Sequence, residues 1–330
     1  MTQVQGAACE LRLPDAHRFY DNIKANAKEA FVLGPNTHKG RTVTICGAGP
    51  SLALIKDVDL LGDVWACNSA LPTLWDWGVR VTHGVSINQN LAMLHDQEWG
   101  RALPVVYYLS TASHPDVSRH LRNHKRVVKF FHSFLGVPDP DGWTPPKRWN
   151  PPPRVQANYE MFLYTTLFKP SIMAGHGLNS VPRAICLAMG MGYDHVTVYG
   201  ADCAMAPDSP AMPPREQPAL YPPWLASLKM YADGRSPNVH GQIAMAEGII
   251  DGRRWHTRPD MVISAVHLLE LERGFPFKIT LVGDTLPNAM RGKPPEFFDS
   301  LPKLSKVGQV DNFGVHAGQV ENVGPQEAVA

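Results

Sequence analysis

The stretch 42–52, TVTICGAGPSL, leaves few folds open to this chain. Its first half (Thr42, Val43, Thr44, Ile45) is rich in β-branched residues and favours a strand. Gly47 and Gly49 permit a tight turn in which backbone approaches a neighbour or ligand closely. Pro50 suits a first helical position, where its missing N–H costs nothing. The pattern predicts strand, loop and helix. The free N–H groups at the helix start, with the Ser51 hydroxyl, would then face an anion such as a phosphate. An ordinary βα turn that carries two glycines fits the same letters.

The surrounding residues narrow the choice. A dinucleotide fingerprint reads G-x-G-x-x-G, with an acidic residue at the end of the second strand to hold a ribose hydroxyl. Here Leu52 stands at the third glycine position, and the second predicted strand, 64–67, runs into Asn68-Ser69 without a carboxylate. That argues against an NAD enzyme. The G-x-x-x-x-G-K-[ST] phosphate loop is absent too, which argues against a Walker-type NTPase. The Asn68 amide both donates and accepts, so it suits a phosphate, a ribose or a base edge, and it equally suits a turn.

Downstream the same alternation repeats. Strands are predicted at 80–85, 103–109 and 126–131, with helices at 71–77, 88–98 and 115–123. A helix at 15–33 precedes them. The expected fold is α/β: a Rossmann-like, doubly wound, mainly parallel sheet with helices on both faces. A glycine-rich turn (Gly175, Gly177) leads to Asn179-Ser180 as a helix cap and an apolar helix at 181–189. A strand at 195–199 then ends in Gly200-Ala201-Asp202. A hairpin near 243–254, a helix at 259–273 and a last strand at 278–282 close the pattern. Two glycine-rich turns that enter helices are what such a sheet needs for a crevice at its carboxyl edge.

Two irregular stretches interrupt the order, around 136–157 and 204–254, where many of the 30 prolines gather. Long loops of this kind are commonly lids or binding loops. The first carries Trp143 and Trp149 and lies in a locally basic region that includes Arg148 and Arg154. It reads either as a solvated surface or as a cap whose cations meet phosphates and whose indoles stack on a base or sugar. The layout is a helical arm (1–40), a nucleotide-binding transferase domain (41–305) with both lids, and a flexible tail (306–330).

Net charge is +1, so overall charge makes no case for a membrane or nucleic-acid partner. A polyanionic acceptor such as DNA is permitted by the basic region alone. The five cysteines show no paired spacing and read as reduced, buried thiols. With no apolar run long enough to span a bilayer, a cytoplasmic location is expected.

GAGPSL at 47–52 followed by CNSAL at 67–71 resembles the opening of the MptE-like group, the 6-hydroxymethylpterin diphosphokinase-like proteins. It is also similar to the family 42 sialyltransferases, which use CMP-sugars. The resemblance continues through Gly177-Leu178-Asn179-Ser180-Val181, Tyr199-Gly200-Ala201-Asp202 and His256-Thr257. MptE-like proteins carry an acidic residue after the third strand, whereas 83–88 here reads HGVSIN and offers no carboxylate for Mg²⁺.

The resemblance implies a metal-independent glycosyltransferase with a CMP- or UDP-sugar as co-substrate, no bound cofactor and an unidentified hydroxyl acceptor. In that reading Gly47, Gly49, Pro50 and Ser51 form the phosphate loop. Asn68 and Ser69 hold phosphate or ribose, and Gly177, Asn179 and Ser180 sit beside the cytidine or sugar end. Asp202 binds ribose or base, and His256, followed by Thr257, is the general base. The alternatives are Mg²⁺-dependent diphosphate transfer from ATP to a pterin-like alcohol, and a non-catalytic nucleotide-binding module.

Overall fold

The computed structural model describes residues 13–28, 32–134, 136–151, 157–168, 172–175, 177, 179–205, 246–257 and 259–293. The elements in chain order begin with α1 (Leu13–Ala27), β1 (Thr42–Cys46), a 3-10 helix (Pro50–Asp57), β2 (Asp63–Cys67) and α2 (Ala70–Asp76). Next come β3 (His83–Ser86), α3 (Met93–Asp96), a 3-10 turn (Trp99–Arg101), β4 (Val106–Ser110), α4 (Pro115–Asn123) and β5 (Val128–Ser133). Then follow α5 (Tyr159–Leu167), β6 (Met173–Ala174), α6 (Ser180–Met191) and β7 (His195–Tyr199). The last group is β8 (Ala246–Ile250), β9 (Arg253–Thr257), α7 (Pro259–Gly274), β10 (Ile279–Leu281) and α8 (Leu286–Met290).

Among the described residues eight strands form one sheet in the order β10-β7-β1-β2-β3-β4-β5-β6, every neighbouring pair parallel. β8 and β9 form a separate antiparallel hairpin. The fold is the Rossmann-like α/β arrangement that the alternation predicts. Strand residues alternate between two cores, because successive side chains leave a strand on opposite faces. Val43, Ile45, Trp65, Val85, Val196 and Val198 pack with α6 and α7 on one face. Cys46, Val64, Ala66, Tyr107 and Phe130 pack with the 3-10 helix, α2 and α4 on the other. Helices thus cover both faces, as an all-parallel sheet requires.

Local chemistry accounts for the departures from expectation. The helix expected over 88–98 shrinks to α3, because side chains take the backbone bonds ahead of it. Ser86 Oγ accepts from the Asn88 amide, Asn88 Oδ1 from Asn90, and Asn90 Oδ1 from Ala92. The first helix ends at Ala27 instead of 33. The chain beyond joins the sheet region, with the Leu33 amide bonding to the Phe130 carbonyl and its own carbonyl accepting from Ile172. The helix that follows Pro50 is of the 3-10 type. α8 was not expected; Thr285 Oγ1 caps it by accepting from the Asn288 amide, and Pro287 stands in its first turn.

α1 lies across the carboxyl ends of β4 and β5. Asn22 donates to Ala112 O, and Asn26 to Thr111 O and Ser113 O. The described part of the first lid is tied down in the same region. Glu160 on α5 accepts from the amides of Gly136 and Val137, and its other oxygen lies 3.3 Å from His132, a pair that is fully buried. Trp143 and Trp149 pack on one another and on Phe162, and the Trp149 indole donates to Thr165. Their rings therefore cover part of α5 and stay half-buried. Arg154, most of the second lid (206–245) and the tail at 306–330 lie outside the described residues.

Candidate functional site

The chain builds outward from β1 to β6 on one side, then returns through α6 to lay β7 on the other side of β1. A crevice forms at the carboxyl edge where strand order reverses in this way. It has a volume of about 220 Å³ and is walled by four turns: 47–49 after β1, 67–69 after β2, 179–181 at the start of α6, and 200–204 after β7. Met261 and Leu268 of α7 and Gln97 complete the wall.

The turns after β1 and β7 meet backbone to backbone at Gly47 and Gly200, with the Asp202 side chain against Gly49. A Cβ on Gly47 would lie 2.3 Å from the Gly200 carbonyl oxygen, and one on Gly49 would lie 2.2 Å from Asp202 Oδ2. The Gly47 amide donates to Tyr199 O at 2.8 Å and the Gly49 amide to Gly200 O at 2.9 Å. The two glycines are thus required by the packing of one turn on another, and their N–H groups are engaged within the fold.

Asp202 occupies the seat that the sequence reserves for an external anion. Its carboxylate accepts from the Ser51 amide at 3.1 Å and from Ser51 Oγ at 2.8 Å, and Ser51 Oγ accepts from the Gly200 amide. The start of the 3-10 helix is capped by the chain's own carboxylate. The Gly47, Gly49 and Ser51 amides and the Ser51 hydroxyl, expected as phosphate donors, all have partners within the fold. Asp202 is 4% exposed, and burial raises its pKa to about 6 even though the Ser51 hydrogen bonds pull the other way; the nearby Asp284 charge adds to the rise.

Across the crevice the polar groups are arranged differently. Asn68 has φ of 53°, a left-handed conformation that asparagine tolerates. Its carbonyl accepts from the Trp99 indole, and its Nδ2 donates to Ser180 Oγ at 2.9 Å. Its Oδ1 is buried with no hydrogen-bond partner among the described residues. Asn179 caps α6 by accepting from the Val181 amide. The positive end of α6 therefore opens into the crevice beside Asn68, Ser69 and Ser180.

The structure brings Gly47, Gly49, Asn68, Ser69, Asn179, Ser180 and Asp202 to one crevice. Pro50 and Ser51 sit just behind it. Gly177, at φ of 94°, packs against Pro182 and not on the wall; Arg183 donates to its carbonyl and to Ala174 O, pinning the approach to α6. His256 and Thr257 do not line the crevice. His256 is 2% exposed, and its carbonyl accepts from Met205, while the Thr257 hydroxyl donates to the Cys203 carbonyl. The hairpin thus buttresses the 203–205 turn from behind. Gln97, Met261 and Leu268 were not foreseen; each comes from a segment with no local motif, and only the tertiary fold brings them in.

Burial pushes the Cys67 thiol up to about 12, so this crevice cysteine stays protonated. Among the described residues no group of three or more His, Cys, Asp or Glu side chains is placed to hold a metal ion. No helix among them is long and apolar enough to cross a membrane.

No family model matches the sequence, and no curated protein matches it. Among solved structures, the chain is similar to the MAf glycosyltransferase from Magnetospirillum magneticum AMB-1, at 13% identity and a TM-score of 0.48. The overlap covers 82% of this chain and 40% of that one, so this chain spans well under half the length of its neighbour. A likeness this distant carries no information about substrate or mechanism.

Proposed function

We propose that the crevice holds the nucleotide part of a nucleotide-sugar and that the protein transfers the sugar to a hydroxyl acceptor, with CMP- or UDP-sugars as the donor class. The observation that carries this reading is the convergence of the turns at 47–49, 67–69, 179–181 and 200–204 on one polar crevice at the reversal of strand order. The sequence resemblance to CMP-sugar transferases runs through those same turns.

The phosphate is assigned to the start of α6, with Ser180 and the Asn68 amide beside it, because the seat at the 3-10 helix is filled by Asp202. Ser69 and Asn179 flank that position. Asp202, expected to bind ribose or base, lines the crevice, and His256, expected to be the general base, does not. That favours Asp202 as the general base, and a carboxyl that titrates near 6 suits the role.

A thermal-shift panel of CMP, UDP, GDP and ATP, each with and without Mg²⁺, tests the reading. CMP or UDP should raise the melting temperature equally with and without Mg²⁺. A response confined to ATP with Mg²⁺, or no response to any nucleotide, would overturn it.

A further inference from the structure

A second cavity lies far along the sheet from the crevice, under the described part of the first lid. Its volume is about 280 Å³, and it is lined by Tyr20, Asp21 and Lys24 of α1, by 140–143 of the lid, and by Tyr159 at the start of α5. Its floor is aromatic. Tyr20 and Tyr159 meet edge to face at 4.7 Å between ring centres, and Trp143 lies 5.4 Å from Tyr159. The Tyr20 hydroxyl donates to Val137 O and Pro138 O, and Asp139 accepts from the Tyr159 amide, so the rings are fixed from behind. Its rim is acidic, with Asp21 and Asp141 both exposed.

A cation already uses this surface. Lys24 Nζ sits 5.5 Å from the centre of the Tyr159 ring and 3.8 Å from Asp21. A ring face draws a positive charge toward its centre, and adjacent carboxylates reinforce the attraction. Among the described residues that line or back the cavity, one lysine stands against three carboxylates, Asp21, Asp139 and Asp141. The chemistry is that of an aromatic cage with excess negative charge.

We infer that the cleft between α1, the lid and the start of α5 is a binding site for an organic ammonium group, with Lys24 as its resident competitor. The ligand's cationic head lies over Tyr159 and beside Trp143, and Asp21 and Asp141 balance its charge. Lys24, half-exposed in the last turn of α1, swings into solvent when the head enters. This site is independent of the transferase reading.

Tetramethylammonium chloride is the probe, and the indole N–H resonance of Trp143 is the readout, assigned by its loss in Trp143→Phe. The resonance should shift saturably with tetramethylammonium and not with sodium chloride at equal ionic strength. Lys24→Gln should tighten the apparent affinity about threefold or more, since a like charge is removed from the seat. Asp141→Asn should weaken it while leaving the melting temperature unchanged. An unsaturable shift, a shift that sodium chloride reproduces, or an affinity that Lys24→Gln leaves unaltered would overturn the inference.

Discussion

Asp202 shows how a single side chain can redirect a motif. Read as letters, Gly47-Ala48-Gly49-Pro50-Ser51 predicts a loop whose amides await a phosphate. In the structure the β7 turn leans against it, and the Asp202 carboxylate takes the Ser51 amide and hydroxyl. Gly49 is glycine because the carboxylate stands where its Cβ would be. Gly49→Ala should therefore destabilise the fold by about 2 kcal/mol or more through overpacking. The check is a urea denaturation midpoint, and a variant as stable as the wild type would contradict the close approach described. Both partners of this contact could be named from the sequence, but their mutual contact could not, since 151 residues separate Ser51 from Asp202.

At the scale of elements, strands were the easiest to read. β1 and β7 sit where the runs TVTIC and HVTVY place them, because their β-branched residues favour extended backbone. Helices were harder wherever Asn or Ser side chains compete for backbone bonds, as at 86–92, and the two-residue β6 has too little sequence to carry any pattern. The element that matters most for the site is α6. Its Asn179 cap fixes the first turn at the crevice, and Gly192 at φ of 85° ends the helix. Asn179→Ala should cost about 1 kcal/mol, read as a fall in the urea midpoint. An unchanged midpoint would show that the cap bond is not formed.

For the whole molecule, two buried groups push stability in opposite directions with pH. Burial beside Trp65 and Tyr108 lowers the pKa of His83 from 6.5 to about 4. Its unfolded form takes up protons first, so stability is lost as pH falls from about 6.5 towards 4. Asp202 moves from 3.8 up to about 6, so its folded form holds the extra proton and stability is lost as pH rises through that interval. The two contributions largely offset one another between about pH 4 and 6. Asp202→Asn removes one of them, and stability should then rise with pH more steeply than in the wild type, by up to about 1.4 kcal/mol per pH unit. Urea unfolding at pH 4, 5 and 6 measures this slope; parallel curves for the two proteins would contradict the account.

The mainly parallel sheet and the carboxyl-edge position of the crevice were legible because alternating elements and a glycine turn after β1 admit few other arrangements. The identity of the groups that face the ligand was not, because backbone bonds between distant turns decide which donors remain open. The central claim is that the α6 start and the Asn68 side chain hold a nucleotide in that crevice. Calorimetric titration of CMP and UDP into the wild type, Ser180→Ala and Asn68→Gly tests it most directly, since glycine keeps the left-handed backbone and removes only the amide. The account predicts saturable binding to the wild type that weakens at least about tenfold in each variant. Equal affinity in all three proteins, or no binding to the wild type, would contradict it.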